Sequence, residues 1–190
     1  PIQALRGNIF DRNGEILAKN ISTFDLIIKR ENVQEIDGFI NALNKVFSAK
    51  KVDVEYVKEQ YKNKRNKNII LIEDISLEEY SLISVDKHLI PEMELNPKAK
   101  REYLYPLSTS HVLGYLGKVS DSDIYSDVVK VQEGMTEIGK LGVERFYQNI
   151  LSGESGYEKL ETDALGEIIR TVETKQPKRG DDIYLTIDIK

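Results

Sequence analysis

Arg6-Gly7-Asn8-Ile9-Phe10-Asp11-Arg12-Asn13-Gly14-Glu15-Ile16-Leu17-Ala18 is the stretch on which the reading of this chain turns. Asn13-Gly14 accepts the positive φ angles of a tight primed turn, and short apolar runs flank it, so the stretch predicts a β-hairpin. Arg6, Asp11 and Arg12 place three charges beside that turn, more than a solvated loop requires. They are expected to form an ionic clamp that docks the hairpin onto another element.

Downstream, Phe24-Asp25-Leu26-Ile27-Ile28 is rich in strand formers. The period then changes. Val33, Ile36, Phe39, Ile40, Leu43, Val46 and Phe47 recur at helical spacing, which predicts a strongly amphipathic helix. Asp53 can cap a second helix carrying Val54, Val57 and Tyr61 on one side. After a short strand at 69–72, Ser76-Leu77-Glu78-Glu79 is a capping box that opens a third helix running to His88, with Pro91 as its stop. Residues 93–105 read as extended, with Pro97 and Pro106 as breakers, and Ser110 caps a short helix over 111–116. Further helices are expected over 120–129 and 141–151, the latter closed by Gly153 in a left-handed cap. The remainder is β: a strand at 157–162, a turn at 163–166, a return strand at 168–173 and a last strand at 183–188. This order predicts an α+β fold with a discontinuous β-rich stem (1–30 and 140–190) and an inserted, mostly helical head (31–139).

Composition bounds the function. With 190 residues, 40% apolar and 31% charged, the chain can bury a real core. A net charge of −5 argues against a nucleic-acid partner, and the local cluster Lys62, Lys64, Arg65, Lys67 reads as the exposed end of a helix. The chain has no cysteine, which removes disulfides, thiolate nucleophiles and cysteine metal sites together. Its longest apolar run, Ile69-Ile70-Leu71-Ile72, is far short of the ~20 residues of a membrane span. A start at Pro1 and a stop directly after a strand pattern suggest a fragment of a longer protein.

Catalytic and metal patterns are weak. Ser48-Ala49-Lys50-Lys51 and Ser84-Val85-Asp86-Lys87 have the serine-x-x-lysine spacing of an acyl-transfer nucleophile and its base. Both fall late in an expected helix, and neither a serine-x-asparagine nor a lysine-threonine-glycine string accompanies them. His88 and His111 have no ligand-spaced companion, and Asp121-Ser122-Asp123 with Asp127 lacks the glycine and glutamate of a calcium loop, having Ser126 and Gln132 there. Helix capping is the better role for those aspartates. No enzyme, metal or cofactor is expected in this chain.

The opening hairpin resembles the segment that begins the extracytoplasmic part of class B penicillin-binding proteins. Further matches follow in family order: Arg101-x-Tyr103-x-Tyr105-Pro106, then His111-Val112-Leu113-Gly114-Tyr115, then Gly139-x-x-Gly142-Val143-Glu144-x-x-Tyr147 with Leu151-x-Gly153-x-x-Gly156, and the tail from Pro177 through Gly180-Asp181-Asp182-Ile183-Tyr184-Leu185-Thr186-Ile187-Asp188. Leu77-Glu78-Glu79 and Ala164-Leu165-Gly166 before Ile169-Arg170 are most like the elongation type, penicillin-binding protein 2, while Ile90-Pro91-Glu92-Met93 departs from the family's leucine-proline-glycine-valine. The resemblance implies the non-catalytic pedestal, or dimerisation, domain of a penicillin-sensitive peptidoglycan D,D-transpeptidase, whose transpeptidase domain and membrane anchor lie outside the fragment. It implies a place on the periplasmic, extracytoplasmic face of the bacterial cytoplasmic membrane.

By the matched motifs, Arg6, Gly7, Asp11, Arg12, Gly14, Gly142 and Glu144 are expected to build the clamp, and a buried Arg12 would make Arg12→Ala cost about 3–5 kcal/mol. The implied partners are the rod-system scaffold protein of the MreC family, received by Val33, Ile36, Phe39, Ile40, Leu43 and Tyr80 of the head, and the membrane glycosyltransferase of the RodA family. The alternatives are a glycan-sensing module using Tyr56, Tyr61, Tyr80 and Tyr125, or the same domain of the division-specific paralogue.

Overall fold

The hairpin is organised by Asp11. In the computed structural model, which describes residues 1–33, 35–46, 52–63, 68–85, 92–125, 130–163 and 168–190, its carboxylate accepts the backbone N–H groups of Asn13 (2.7 Å) and Glu15 (2.9 Å). The Asp11 N–H donates to the Glu15 carbonyl at 2.9 Å and the Gly14 N–H to the Asp11 carbonyl at 3.2 Å. Gly14 has φ 84°, whereas Asn13 is not in the left-handed region, so the loop is a type I turn with a glycine bulge. The primed turn expected from Asn13-Gly14 gives way because the Asp11 side chain satisfies the turn's donors in this geometry.

The chain divides into two units, Pro1–Asn20 with Arg101–Lys190 and the intervening Ile21–Lys100. The first unit is called the stem and the second the head; they divide at 20/21 and 100/101, where the sequence leads one to expect 30/31 and 139/140. Two long strands account for the shift: β2 (Ile16–Lys29) and β4 (Met93–Tyr103) each contribute residues to both units.

In the stem, β1 (Ile9–Phe10) pairs antiparallel with β2 and parallel with β9 (Ile183–Tyr184), with Ile9 opposite Ile183 and Phe10 opposite Tyr184. The segment after Tyr103 forms helix α4 (Pro106–Leu113), and Pro106 opens it rather than breaking the chain, because a missing N–H costs nothing in the first turn. β5 (Leu116–Lys118) pairs with β6 (Glu137–Gly139), and α5 (Asp121–Ile124) starts with a capping box made by Ser120 and Asp123. The helix expected over 141–151 is interrupted at Tyr147 into α6 (Gly142–Phe146) and α7 (Gln148–Leu151). β7 (Tyr157–Thr162) and β8 (Ile168–Lys175) form a two-stranded ribbon in which every residue of β7 is exposed. The stem core is Ile9, Leu17, Ala18, Leu113 and Leu151, against which Tyr103, Val143, Tyr147 and the alternate residues Ile183, Leu185, Ile187 and Ile189 pack.

In the head, β3 (Asn68–Ile75) pairs antiparallel with the later part of β2, and the helices are α1 (Ile36–Val46), α2 (Val54–Lys62) and α3 (Leu77–Val85). Val33 lies before α1 in extended backbone, following a single 3-10 turn at Arg30–Asn32. Asp53 caps α2 through the Tyr56 N–H (3.0 Å), and Ser76 with Glu79 makes the expected capping box of α3. Leu26, Ile28, Val57, Ile69, Ile75 and Met93 form the centre of the head core. The expected features at Ser48–Lys51, Arg65, Lys67, His88, Pro91, Ser126, Asp127 and Ala164-Leu165-Gly166 lie outside the described residues.

One backbone position in the head is strained. Asp74 has φ 57° where the β2–β3 register shifts, and its N–H is taken by the buried carboxylate of Asp25 at 3.0 Å. Lys98 bridges the two carboxylates at 3.6 and 3.5 Å, and Lys100 reaches Asp74 at 2.9 Å. Asp25→Ala is therefore expected to cost about 1–3 kcal/mol, because it leaves the Asp74 amide without its acceptor and removes one of the two carboxylates that Lys98 bridges. A urea midpoint unchanged in that variant would show that the bulge does not depend on Asp25.

Candidate functional site

Glu144 is the centre of the stem. It sits in the first turn of α6 and is completely buried. Its Oε2 accepts from Arg6 Nε at 2.6 Å and its Oε1 from Arg101 Nε at 2.8 Å, while Arg6 Nη2 also donates to the Glu144 backbone carbonyl at 2.9 Å. The side chains of Arg6 and Arg101 are 9% and 3% exposed, so both charges are held nearly out of water. Arg101 Nη1 continues to the Gly7 carbonyl at 2.8 Å, and Asn20 donates to the Arg6 carbonyl at 2.5 Å. Tyr103 adds a long hydroxyl contact to Glu144 Oε1 at 3.4 Å. Burial lowers the pKa of Arg6, against the pull of Glu144, and burial together with the Glu144 charge raises that of Tyr103.

Glycines allow this approach. A Cβ at Gly7 would meet the Asp181 carbonyl oxygen at 1.9 Å, and Gly142, with φ 59°, lies where a Cβ would meet the Val112 oxygen at 2.4 Å. The hairpin, α4, α6 and the tail can close on one another only with those positions bare.

The seven residues expected in one clamp separate into two devices. Arg6, Gly7, Gly142 and Glu144 belong to the buried centre. Asp11, Arg12 and Gly14 belong to a latch on the segment that follows β9, where the strand expected over 183–188 has already ended at Tyr184: Arg12 donates its backbone N–H to the Ile187 carbonyl (3.0 Å) and its guanidinium to the Thr186 carbonyl (2.7 Å from Nε). Asp11 accepts the Ile189 N–H at 3.3 Å. Arg12 is exposed, so the large cost expected of Arg12→Ala belongs instead to the buried centre. Its missing member in the sequence reading was Arg101. The signal was present, since Arg101 opens the Arg-x-Tyr-x-Tyr-Pro stretch, but spacing alone did not connect it to Glu144.

The head residues expected to receive a partner lie in or against the head's own core. Val33 and Ile40 are buried, and Ile36, Phe39 and Tyr80 are partly buried against that core; the side chain of Leu43 lies outside the described residues. Of the four tyrosines, Tyr61 bonds the Val33 carbonyl (3.1 Å) under the Arg30 guanidinium and Tyr80 approaches Phe24, whereas Tyr56 and Tyr125 are exposed. Ser84 donates to the Ser81 carbonyl at 2.8 Å, and His111 is exposed on α4. Asp123 is committed to Lys140 (2.5 Å) and to the Ser120 amide and hydroxyl.

Glu144→Gln is expected to destabilise the stem by about 3–5 kcal/mol, because two buried guanidinium groups would then face no charge, whereas exposed Arg12→Ala is expected to cost about 1 kcal/mol. Chemical denaturation of the two variants checks that ordering. Lys140 and Ser120 hold the Asp123 pKa below the usual carboxylate value, and three backbone amides do the same for Asp11 against the opposing effect of its burial. The stability these groups contribute is complete above about pH 4 and is lost as pH falls through their lowered folded values. Asp123→Asn is accordingly expected to flatten the decline of melting temperature on the acid side.

The profile of the penicillin-binding protein dimerisation domain matches residues 1–185. The peptidoglycan D,D-transpeptidase MrdA of Haemophilus influenzae is 35% identical over 194 residues, covering 100% of this chain and 30% of its own length. Among solved structures, the complex between penicillin-binding protein PBP2 and MreC from Helicobacter pylori matches with a TM-score of 0.76 at 27% identity, covering 98% of this chain and 35% of that one. A further structure of H. pylori PBP2 gives a TM-score of 0.64 at 25% identity, covering 99% and 36%. The chain thus spans about a third of the length of these relatives, and it belongs to the penicillin-binding protein dimerisation-domain family.

Proposed function

We propose that the chain is the non-catalytic pedestal of an elongation-type peptidoglycan D,D-transpeptidase, held at the extracytoplasmic face of a bacterial cytoplasmic membrane, and that its head recruits a scaffold protein of the MreC family. The observation that carries this reading is the match, at a TM-score of 0.76 over 98% of this chain, to the H. pylori protein in complex with MreC. In this reading the transpeptidase chemistry resides in the part of the relatives that the chain does not cover. The stem positions that part, and it is the surface offered to a membrane glycosyltransferase of the RodA family.

The head has the apolar surface for such recruitment, but it is folded inward. Ile36 and Phe39 on α1 pack against the core while Asp37 of the same helix pairs with Lys58 of α2 at 2.9 Å. A partner that inserts an apolar segment must therefore compete for contacts that α1 already makes.

Calorimetric titration with the soluble extracytoplasmic domain of the cognate scaffold protein is expected to give saturable binding at micromolar Kd or tighter, a regime of about −8 kcal/mol. Phe39→Ala is expected to weaken it tenfold or more, about 1.4 kcal/mol, while Tyr125→Ala in the stem leaves it unchanged. A folded chain that shows no heat and no saturation would overturn the recruitment role.

A further inference from the structure

The stem clamp holds one more positive charge than negative, and its open hydrogen-bonding groups are all able to donate. Arg6 and Arg101 face one carboxylate, that of Glu144. Asp182 is committed elsewhere, to the Asn8 amide at 2.6 Å and to Arg179 at 2.6 Å. Three buried polar atoms of the stem have no hydrogen-bond partner among the described residues: Arg101 Nη2, Gln148 Nε2 and Ser152 Oγ. The residues that carry them are 9%, 1% and 7% exposed. The two nitrogens can only donate, and the hydroxyl can supply a third donor.

A closed circuit of contacts joins the segments that carry these groups. Arg101 Nη1 bonds the Gly7 carbonyl (2.8 Å), and the Gly7 N–H bonds the Leu151 carbonyl (2.9 Å), one residue before Ser152. Ser152, which caps the C-terminus of α7, donates its backbone N–H to the Gln148 carbonyl (2.9 Å), so the two residues are one turn apart. Gln148 Oε1 accepts the Gly139 N–H at 2.9 Å, and Gly139 is packed against the Glu144 backbone, where its Cβ would lie 2.2 Å from the carbonyl oxygen that Arg6 grips. The circuit returns to Arg101 through the Glu144 carboxylate (2.8 Å).

We propose that the stem binds a small monovalent anion, of the size and charge of chloride, at Arg101 Nη2, Gln148 Nε2 and Ser152 Oγ. A water molecule would accept hydrogen bonds from these groups but leave the excess guanidinium charge uncompensated in a buried place. An anion answers both. The same site explains why Gln148 spends its acceptor on Gly139 and keeps its amide nitrogen open.

Two measurements on the wild-type chain test this. Crystals grown in bromide are expected to give an anomalous peak within hydrogen-bonding distance of Arg101 Nη2. At constant ionic strength, replacing gluconate by chloride is expected to raise the melting temperature saturably, by roughly 2–6 °C. Gln148→Glu retains the acceptor for Gly139 and supplies a fixed negative charge, so it is expected to keep or raise the melting temperature and to abolish the chloride dependence. A water-like peak without anomalous signal, or identical melting in the two salts, overturns the proposal. Should the variant fail to fold, the two wild-type measurements still decide.

Discussion

Everything in the stem depends on where one carboxylate can be neutralised. Glu144 is fully buried, and its ion pairs run to residues 138 and 43 positions away in the chain. Removing it from water is tolerable only if Arg6 and Arg101 arrive together, and they arrive only if the opening hairpin, the end of β4 and the start of α6 converge. The interaction therefore specifies an arrangement more than it adds stability. An apolar trio of similar volume could hold these elements together, but it would accept many offsets, whereas the carboxylate accepts very few. The bare Cα positions at Gly7 and Gly142 serve the same arrangement by letting backbones approach where a methyl group would collide.

Local signals in the sequence were legible in proportion to how local their physics is. The hairpin, the Asp53 cap, the Ser76–Glu79 box and the left-handed Gly153 each depend on atoms within a few residues, and each is found where expected. Features set by distant partners were legible only where the family resemblance joined them, as it did Arg6 and Glu144. Nothing near Arg12 says that its guanidinium will find Thr186, 174 positions on, instead of Glu144. The split of 141–151 at Tyr147, between Glu144 and Gln148, is one that no period of apolar residues reports. The short pairing of β5 with β6 rests on three-residue strands, below the length at which alternation is visible.

The head illustrates an ambiguity of a different kind. The apolar stripe of Ile36, Phe39 and Ile40 has the same spacing whether it faces the chain's own core or a visiting protein, because burial imposes one periodicity on both. The structure places those residues inward, against strands that include a left-handed aspartate held by a second aspartate and two lysines. Strands β2 and β4 look like elements of one unit in sequence, yet each serves two.

The parallel pairing of β1 with the final strand has a mechanical meaning. Tension applied between the two ends of the described chain pulls β1 toward Pro1 and the Ile183–Ile189 segment toward Lys190, in opposite directions along their common axis. Their bonds, Asn8 to Ile183, Phe10 to Leu185 and Arg12 to Ile187, then bear the load together in shear, with the Arg12 guanidinium as an added cleat. An antiparallel end strand would peel one bond at a time. The stem is thus built as a strain-bearing link, able to carry a pull from one end to the other before it unravels.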